Sequence, residues 1–260
     1  MVQELSLLLA SVGNTRTAVA TALPDRLVRV DRLRNGEPGA VVDSMRSYLE
    51  GSREAEAPVV VVSSVNRRTS EPLFDRLGTD LAARILRIGV DLPIPVGVCL
   101  DPGARPGQDR LLNAAAAFDR LRQACVVIDA GTAITIDFVD GEGTFHGGAI
   151  APGAQMQLNA LHERTDALPA LEFQAPGRDA FGPNTEQAML HGVFYGIRGM
   201  VRHIAERYAE AYGAYPAIIG TGGDAHLLFD TDELVEHVVD DLTLHGMLAA
   251  FRAMNNGDAA

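Results

Sequence analysis

Twice in this 260-residue chain an apolar strand runs into a short turn of small and hydroxyl residues and returns at once as a second strand. The second copy is the clearer one. Residues 125–153 read CVVIDAGTAITIDFVDGEGTFHGGAIAPG. A buried strand through Val126, Val127 and Ile128 breaks at Asp129-Ala130-Gly131-Thr132. A second strand follows over 134–139, and a third over 144–150 leads into Gly147-Gly148-Ala149-Ile150-Ala151-Pro152-Gly153. The first copy has a strand over 5–10, the turn Ser11-Val12-Gly13-Asn14-Thr15, and strands over 17–23 and 27–34. Gly131 permits a close backbone approach, and the N–H groups and Thr132 hydroxyl of such a turn can face an anion. Asp129 ends an apolar strand, where a carboxylate can hold a cation. An ordinary hairpin with a glycine turn has the same local pattern, so the weight rests on the repetition.

The repetition continues past the hairpins. In the first half a helix over 41–49 precedes the buried strand Val59-Val60-Val61-Val62, an exit loop Ser63-Ser64-Val65-Asn66, a helix over 72–81 and a strand over 83–88. In the second, helices over 154–164 and 185–212 precede a strand over 216–219, the turn Gly220-Thr221-Gly222-Gly223 and a helix starting at Asp224. Each half reads β-β-β-α-β-α. The expected fold is therefore α/β: two ribonuclease H-like halves of the actin-like ATPase kind, residues 1–106 and 107–260, with the ligand site between them. A strand-Asp-x-Gly-Thr-strand hairpin is how such folds cradle nucleotide phosphates. Aligning the halves sets Ser11 against Asp129, so the first turn lacks the carboxylate of the second.

Composition narrows the chemistry. Hydrophobic residues make up 47% and charged residues 22%, ordinary for a globular chain. No apolar run approaches the ~20 residues that span a bilayer, and the short LSLLLA near the start lacks the flanks of a signal peptide. Cys99 and Cys125 have no metal-type spacing and read as reduced thiols, which favours a cytoplasmic location. A net charge of −12 argues against nucleic acid or an anionic membrane as partner. There is no lysine: all 22 basic residues are arginine. That excludes the P-loop lysine, the protein-kinase lysine and Schiff-base catalysis. Phosphate chemistry here must use backbone N–H groups, hydroxyls, arginine and metal.

Several further residues invite a role. Asp109 falls in the first turn of an alanine-rich helix that follows Asp101-Pro102-Gly103-Ala104-Arg105-Pro106-Gly107-Gln108. Spacing alone gives it helix-start electrostatics; the other reading is a general base, with Arg110 binding an anionic group. Asn184 or Thr185 can cap the helix that follows. Gly192, Gly196 and Gly199 along it imply close packing, in the core or across a dimer. Thr221-Gly222-Gly223 offers backbone donors to a nucleotide, or is a plain strand-to-helix turn. The seven histidines show no paired ligand spacing. Arg67-Arg68 reads as a solvated loop pair, and residues 255–260 as a disordered tail.

In order along the chain, Gly13-Asn14-Thr15, Gly107-x-Asp109-Arg110, Asp129-x-Gly131-Thr132-Ala133, Gly147-Gly148-x-Ile150-x-Pro152-Gly153, Gly182-x-Asn184-Thr185, Thr221-Gly222-Gly223 and Asp241-Leu242-x-Leu244-x-Gly246 resemble the type III pantothenate kinases. No one stretch is specific; the ordered set is. The resemblance implies transfer of the γ-phosphoryl of ATP to the primary hydroxyl of pantothenate, the first step of coenzyme A biosynthesis, in a cytoplasmic homodimer. It makes Asp109 the base. Leu100, Gly107, Gln108, Asp109, Arg110 and Thr185 would meet pantothenate, with Arg110 at its carboxylate. Ser11, Val12, Gly13, Asn14, Thr15, Arg16, Thr17, Ala18, Thr132, Gly222 and Gly223 would meet ATP. Magnesium would accompany the nucleotide, and Asp129 would hold a monovalent cation, potassium or ammonium.

Two positions depart from the family pattern. The first turn usually begins with Asp, and here it begins with Ser11. An aromatic residue usually precedes the Asp-Pro before the Gly-x-Asp-Arg motif, and here Leu100 stands there. A hydroxyl cannot replace the charge of a carboxylate beside magnesium. The alternative to a kinase is a silent or weakened relative that binds nucleotide and serves a regulatory role.

Overall fold

The computed structural model describes residues 7–49 and 58–256. Two compact units form, the first from Met1–Val96, Gly103–Asp119 and Leu242–Ala260, the second from Gly97–Pro102 and Arg120–Asp241. The units thus interleave in sequence, in place of the single boundary expected after residue 106. The reason is burial. The linking helix and the last helix carry apolar residues that complete the core of the first unit.

That core follows from strands with no polar face. The first sheet contains β1 (Leu7–Val12), β2 (Arg16–Ala22), β3 (Leu27–Arg34), β4 (Val59–Ser64) and β5 (Arg84–Arg87), in the order β3-β2-β1-β4-β5. β1 runs antiparallel to β2 and parallel to β4. Side chains alternate between the faces of a strand, so a continuous apolar run must be covered twice. Leu8, Ala10, Val60 and Val62 meet α1 (Pro38–Leu49) and α2 (Arg67–Asp80) through Val42, Met45, Leu73 and Leu77. Leu7, Leu9, Val59 and Val61 meet Leu112 of α3 (Gln108–Leu121) and Leu244, Met247 and Leu248 of the C-terminal helix α7 (Leu242–Asn256). α3 and α7 approach closely at Gly246, where a Cβ would collide with the Leu112 backbone. Beside that contact the Thr243 hydroxyl donates to Asn113 Oδ1 at 2.8 Å.

The second unit repeats the plan. Its sheet contains β6 (Gly97–Val98), β7 (Cys125–Ala130), β8 (Ala133–Val139), β9 (Thr144–Pro152), β10 (Ala217–Thr221) and β11 (His237–Val238), in the order β11-β10-β7-β8-β9-β6. Without β6, the order β9-β8-β7-β10-β11 is that of the first sheet, strand for strand. One face of β7 and β8 packs on α4 (Ala154–Glu163), α5 (Thr185–Tyr212) and α6 (Ala225–Phe229). The expected duplicated α/β fold is present: β5 answers to the strand expected over 83–88, while its counterpart β11 and the edge strand β6 are not among the expected strands.

Some expected boundaries move. α2 begins at Arg67 because the Asn66 side chain caps it, accepting from Thr69 N at 3.3 Å. Arg67 and Arg68 therefore open a helix, and Pro72 lies inside it. Gly220 and Thr221 end β10 and do not form the turn. The short strands β6 and β11 carry too little pattern to be read in advance. Asn255 and Asn256 belong to α7, and the remainder of the expected disordered tail lies outside the described residues. Among the described residues no helix is long and apolar enough to cross a membrane.

Two predictions follow from this packing. Gly246→Ala forces α3 and α7 apart and lowers stability by roughly 1–3 kcal/mol, whereas Gly78→Ala, with open space around it in α2, raises it by about 0.5–1 kcal/mol. Urea denaturation midpoints of the two variants should move in opposite directions. In the second unit Arg198 Nε donates to partly buried Asp232 at 2.5 Å. Burial pushes the Asp232 carboxyl up, but the Leu234 N–H and the Arg198 and Arg202 guanidiniums outweigh it and hold it below the usual carboxylate range. A depressed folded-state value contributes stability above the unfolded pKa of about 3.9. That stability disappears as pH falls through the folded value. Asp232→Asn should cost roughly 1–3 kcal/mol at neutral pH and flatten the loss of stability on acidification, measured by unfolding at several pH values.

Candidate active site

The two homologous hairpins are built alike down to single hydrogen bonds. Ser11 and Asp129 are each the fifth residue of a six-residue central strand, and the burial sequence along the two strands is the same. Ser11 lies in register with Ala18 and Ser63, Asp129 with Thr135 and Thr221. Gly13 N donates to Arg16 O at 3.0 Å, and Gly131 N donates to Ala133 O at 3.1 Å. Both turn glycines thus spend their N–H groups closing the hairpin, and Thr15 and Thr132 are exposed beside them.

The first turn is held from β3 by a residue that sequence reasoning missed. Asn35 Nδ2 donates to Gly13 O at 2.9 Å, Asn35 N donates to Thr15 O at 3.0 Å, and Asn35 Oδ1 accepts from buried Thr17 at 2.8 Å. One residue, through its side chain and its backbone N–H, thereby fixes Gly13, Thr15 and Thr17 together. The available signal, an Asn-Gly pair ending a strand, is an ordinary turn signature.

In the second unit three loops gather around the Asp129 hairpin. Gly222 adopts φ +98°, and a Cβ there would come 2.5 Å from both Asp129 Oδ1 and Ala130 O. The Asp129 carboxylate therefore rests over the glycine backbone that follows β10. Asp224 N donates to Ala130 O at 2.9 Å, and Gly153 N to Thr132 O at 3.1 Å. Asp129, Thr132, Gly222 and Gly223, separated widely in sequence, are neighbours here. Among the described residues nothing lies within 4 Å of a Cβ placed on Gly223. Among the described residues no three His, Cys, Asp or Glu side chains gather as a metal cage.

Asp109 stands in the first turn of α3, partly exposed. Its Oδ1 accepts from Arg110 N at 2.8 Å, and among the described residues Oδ2 has no hydrogen-bond partner. A Cβ at Gly107 would collide with Asp109 Oδ1, so a glycine there makes room for the carboxylate. Gln108 turns toward the ends of β4 and β5, where its amide meets Ser63, Ser64 and Ile88. Leu100, just past β6, packs against Gly147, which adopts φ +86°. Asn184 caps α5 by accepting from Gln187 N at 2.9 Å, and Thr185 is exposed in the first turn.

The remaining expectations resolve simply. His146 pairs with Asp140 at 2.7 Å and His226 with Asp230 at 2.9 Å, structural contacts both. Cys125 is buried, its thiol pushed up to about 12 by desolvation, and Cys99 is exposed. Among the described residues Gly192, Gly196 and Gly199 have nothing within 4 Å of an added Cβ, so they do not mediate packing among them.

Comparison with known proteins agrees with this architecture. The model of the type III pantothenate kinase family matches residues 7–207. A type III pantothenate kinase of Akkermansia muciniphila is 35% identical over 252 residues, covering 94% of this chain and 97% of its own. Among solved structures, the activator of the 2-hydroxyisocaproyl-CoA dehydratase from Clostridium difficile, with bound ADPNP, superposes with a TM-score of 0.56 at 12% identity, covering 98% of each chain. MreB 5 of Spiroplasma citri, bound to AMPPNP, does so with a TM-score of 0.52 at 9% identity, covering 97% of each chain. These two likenesses establish the actin-like fold; the family match and the Akkermansia relative go further, and the chain belongs to the type III pantothenate kinase family.

Proposed function

We propose that this protein transfers the γ-phosphoryl group of ATP to the primary hydroxyl of pantothenate, giving 4'-phosphopantothenate and ADP, the first step of coenzyme A biosynthesis. The observation that carries the reading is the family match over residues 7–207, together with a half-exposed Asp109 whose Oδ2 is open. Asp109 takes the hydroxyl proton as the new O–P bond forms and the bond to the β-phosphate oxygen breaks. Arg110 offers its guanidinium to the pantothenate carboxylate. Gly107, Leu100 and Thr185 are the further residues assigned to the acceptor, with leucine at 100 where the family pattern expects an aromatic residue.

ATP is held through backbone and hydroxyl groups, consistent with a chain without lysine. The first turn, Ser11 to Ala18, contributes Asn14, Thr15 and Arg16 beyond the Asn35 clamp. The second unit contributes Thr132 and the backbone of Gly222 and Gly223. Magnesium, bound with the nucleotide, supplies charge neutralisation at the phosphates. A divalent ion that keeps most of its waters and leans on phosphate oxygens fits a protein offering few carboxylates. Asp129, oriented over Gly222, is the carboxylate available to a potassium or ammonium ion. Phosphoryl transfer asks chiefly for positioning and electrostatic stabilisation, and these groups can supply both. The open glycine face of α5, Gly192-Gly196-Gly199, suits a homodimer in which a second copy approaches that helix closely. Free thiols and an ATP-dependent reaction suit the cytoplasm.

The test is a coupled assay with ATP, Mg²⁺, K⁺ and pantothenate. Asp109→Asn should reduce kcat by about 10²–10⁴-fold, the range for losing a general base. Ser11→Asp should raise turnover by roughly 3–10-fold and lower the magnesium needed for half-maximal rate, because it returns a carboxylate to the first turn. Wild-type protein that binds nucleotide tightly and forms no phosphopantothenate would reject the kinase reading in favour of the silent alternative.

A further inference from the structure

The geometry points to Gln108 as a positioning residue for Asp109: its side-chain amide pins the first turn of α3 to the ends of β4 and β5, and so sets where the neighbouring carboxylate stands. The inference rests on the reading of Asp109 as the base.

The partners of Gln108 leave no freedom in how its amide is oriented. The Ser64 backbone N–H can only donate, so it must meet Oε1, at 3.4 Å. The Ile88 carbonyl can only accept, so it must meet Nε2, at 2.9 Å. The Ser63 hydroxyl donates to the same Oε1 at 3.3 Å. Both lone pairs of the oxygen and one proton of the nitrogen are thereby engaged by protein. The strand ends that hold it are firm. Ser63 is 3% exposed, β4 pairs with β1 and β5 on either side, and Ile88 N donates back to Val62 O at 2.9 Å. Space for the amide is prepared at Gly89, where φ is +76° and a Cβ would come 2.7 Å from Nε2.

The start of α3 is closed locally by Leu111 N donating to Gly107 O at 3.4 Å and by Arg110 N donating to Asp109 Oδ1 at 2.8 Å, and the Gln108 amide adds a link from this turn to the sheet. Asp109 is the residue immediately after the tether. A base must lie within hydrogen-bond reach of the proton it takes, and a displacement near 1 Å costs about 10²-fold in rate. The tether also reaches the phosphate side of the same unit. Ser63, which donates to Gln108, also lies in register with Ser11.

Gln108→Ala and Gln108→Glu test this in the full-length protein. Gln108→Ala should lower kcat by roughly 10–100-fold, with KM for pantothenate changed less than about 3-fold and a melting temperature within a few degrees of wild type. Gln108→Glu keeps the acceptor toward Ser63 and Ser64 but sets a negative charge beside Asp109. Like charge disfavours ionisation, so the acidic limb of kcat against pH should move to higher pH, and loss of the donor to the Ile88 carbonyl should lower kcat as Gln108→Ala does. A rise in the KM for pantothenate with kcat unaltered would overturn the proposal and make Gln108 a substrate contact. Unchanged kinetics in both variants would overturn it as well. Hydrogen exchange separates this from the base assignment: Gln108→Ala should speed exchange at the amides of residues 109–112 and leave α7 unchanged. That result supports the tether even if Asp109→Asn stays active, which would remove the base assignment alone, and unchanged exchange would contradict the tether.

Discussion

Each unit depends on one strand that is apolar on both faces. β1 and β7 lie at the centre of their sheets, with neighbours paired on each side and burial uninterrupted through the first four residues. Such a strand cannot slip by one residue without exchanging its two cores, so its register is fixed by the hydrophobic effect. The fifth residue is the first that burial releases. Whatever stands there, Ser11 or Asp129, is held at a defined place at the sheet end, next to a hairpin turn and beside the exit of a parallel strand. The chemistry of both hairpins begins with that placement.

The duplication makes the difference between the units easy to see. Both hairpins close with the same glycine bond, and both exits bring a hydroxyl residue into register with the fifth position, Ser63 in one unit and Thr221 in the other. Only the second offers a carboxylate. The first unit carries neutral hydrogen bonding there: Asn35 clamps the turn, and Ser63 reaches Gln108 at the start of α3. A chain without lysine and with one carboxylate fewer must place its remaining polar groups accurately, because fewer charges are available to tolerate misplacement. Precise orientation is the recurring cost of using backbone amides and arginine in place of flexible ammonium groups.

Much of this was legible in the residues, and the parts that were not share a cause. The central strands, the hairpins and the long helix α5 were readable because each carries a full run of its own period, and residues 185–212 match α5 to both ends. Helix α7 escaped notice, and with it the interleaved units, because its apolar face makes sense only against the second core of the first sheet. The two-residue strands β6 and β11 hold no period at all. At the site, Asp109, Asp129 and Gly222 stood out through turn chemistry and resemblance. Asn35 and the tether role of Gln108 did not, since each acts on residues 18 to 45 positions away and neither type is rare where it stands. Gly107 and Gly246 looked like motif letters and prove to be spaces, one for the Asp109 carboxylate and one for the α3 backbone.

The central claim is that the chain joins the γ-phosphoryl of ATP to a hydroxyl of pantothenate. Phosphorus NMR of the wild-type protein with ATP, magnesium, potassium and pantothenate tests it most directly. The account predicts a phosphomonoester resonance that grows one for one with ADP and is absent when pantothenate is left out. ADP formed with free phosphate at the same rate with or without pantothenate would contradict it.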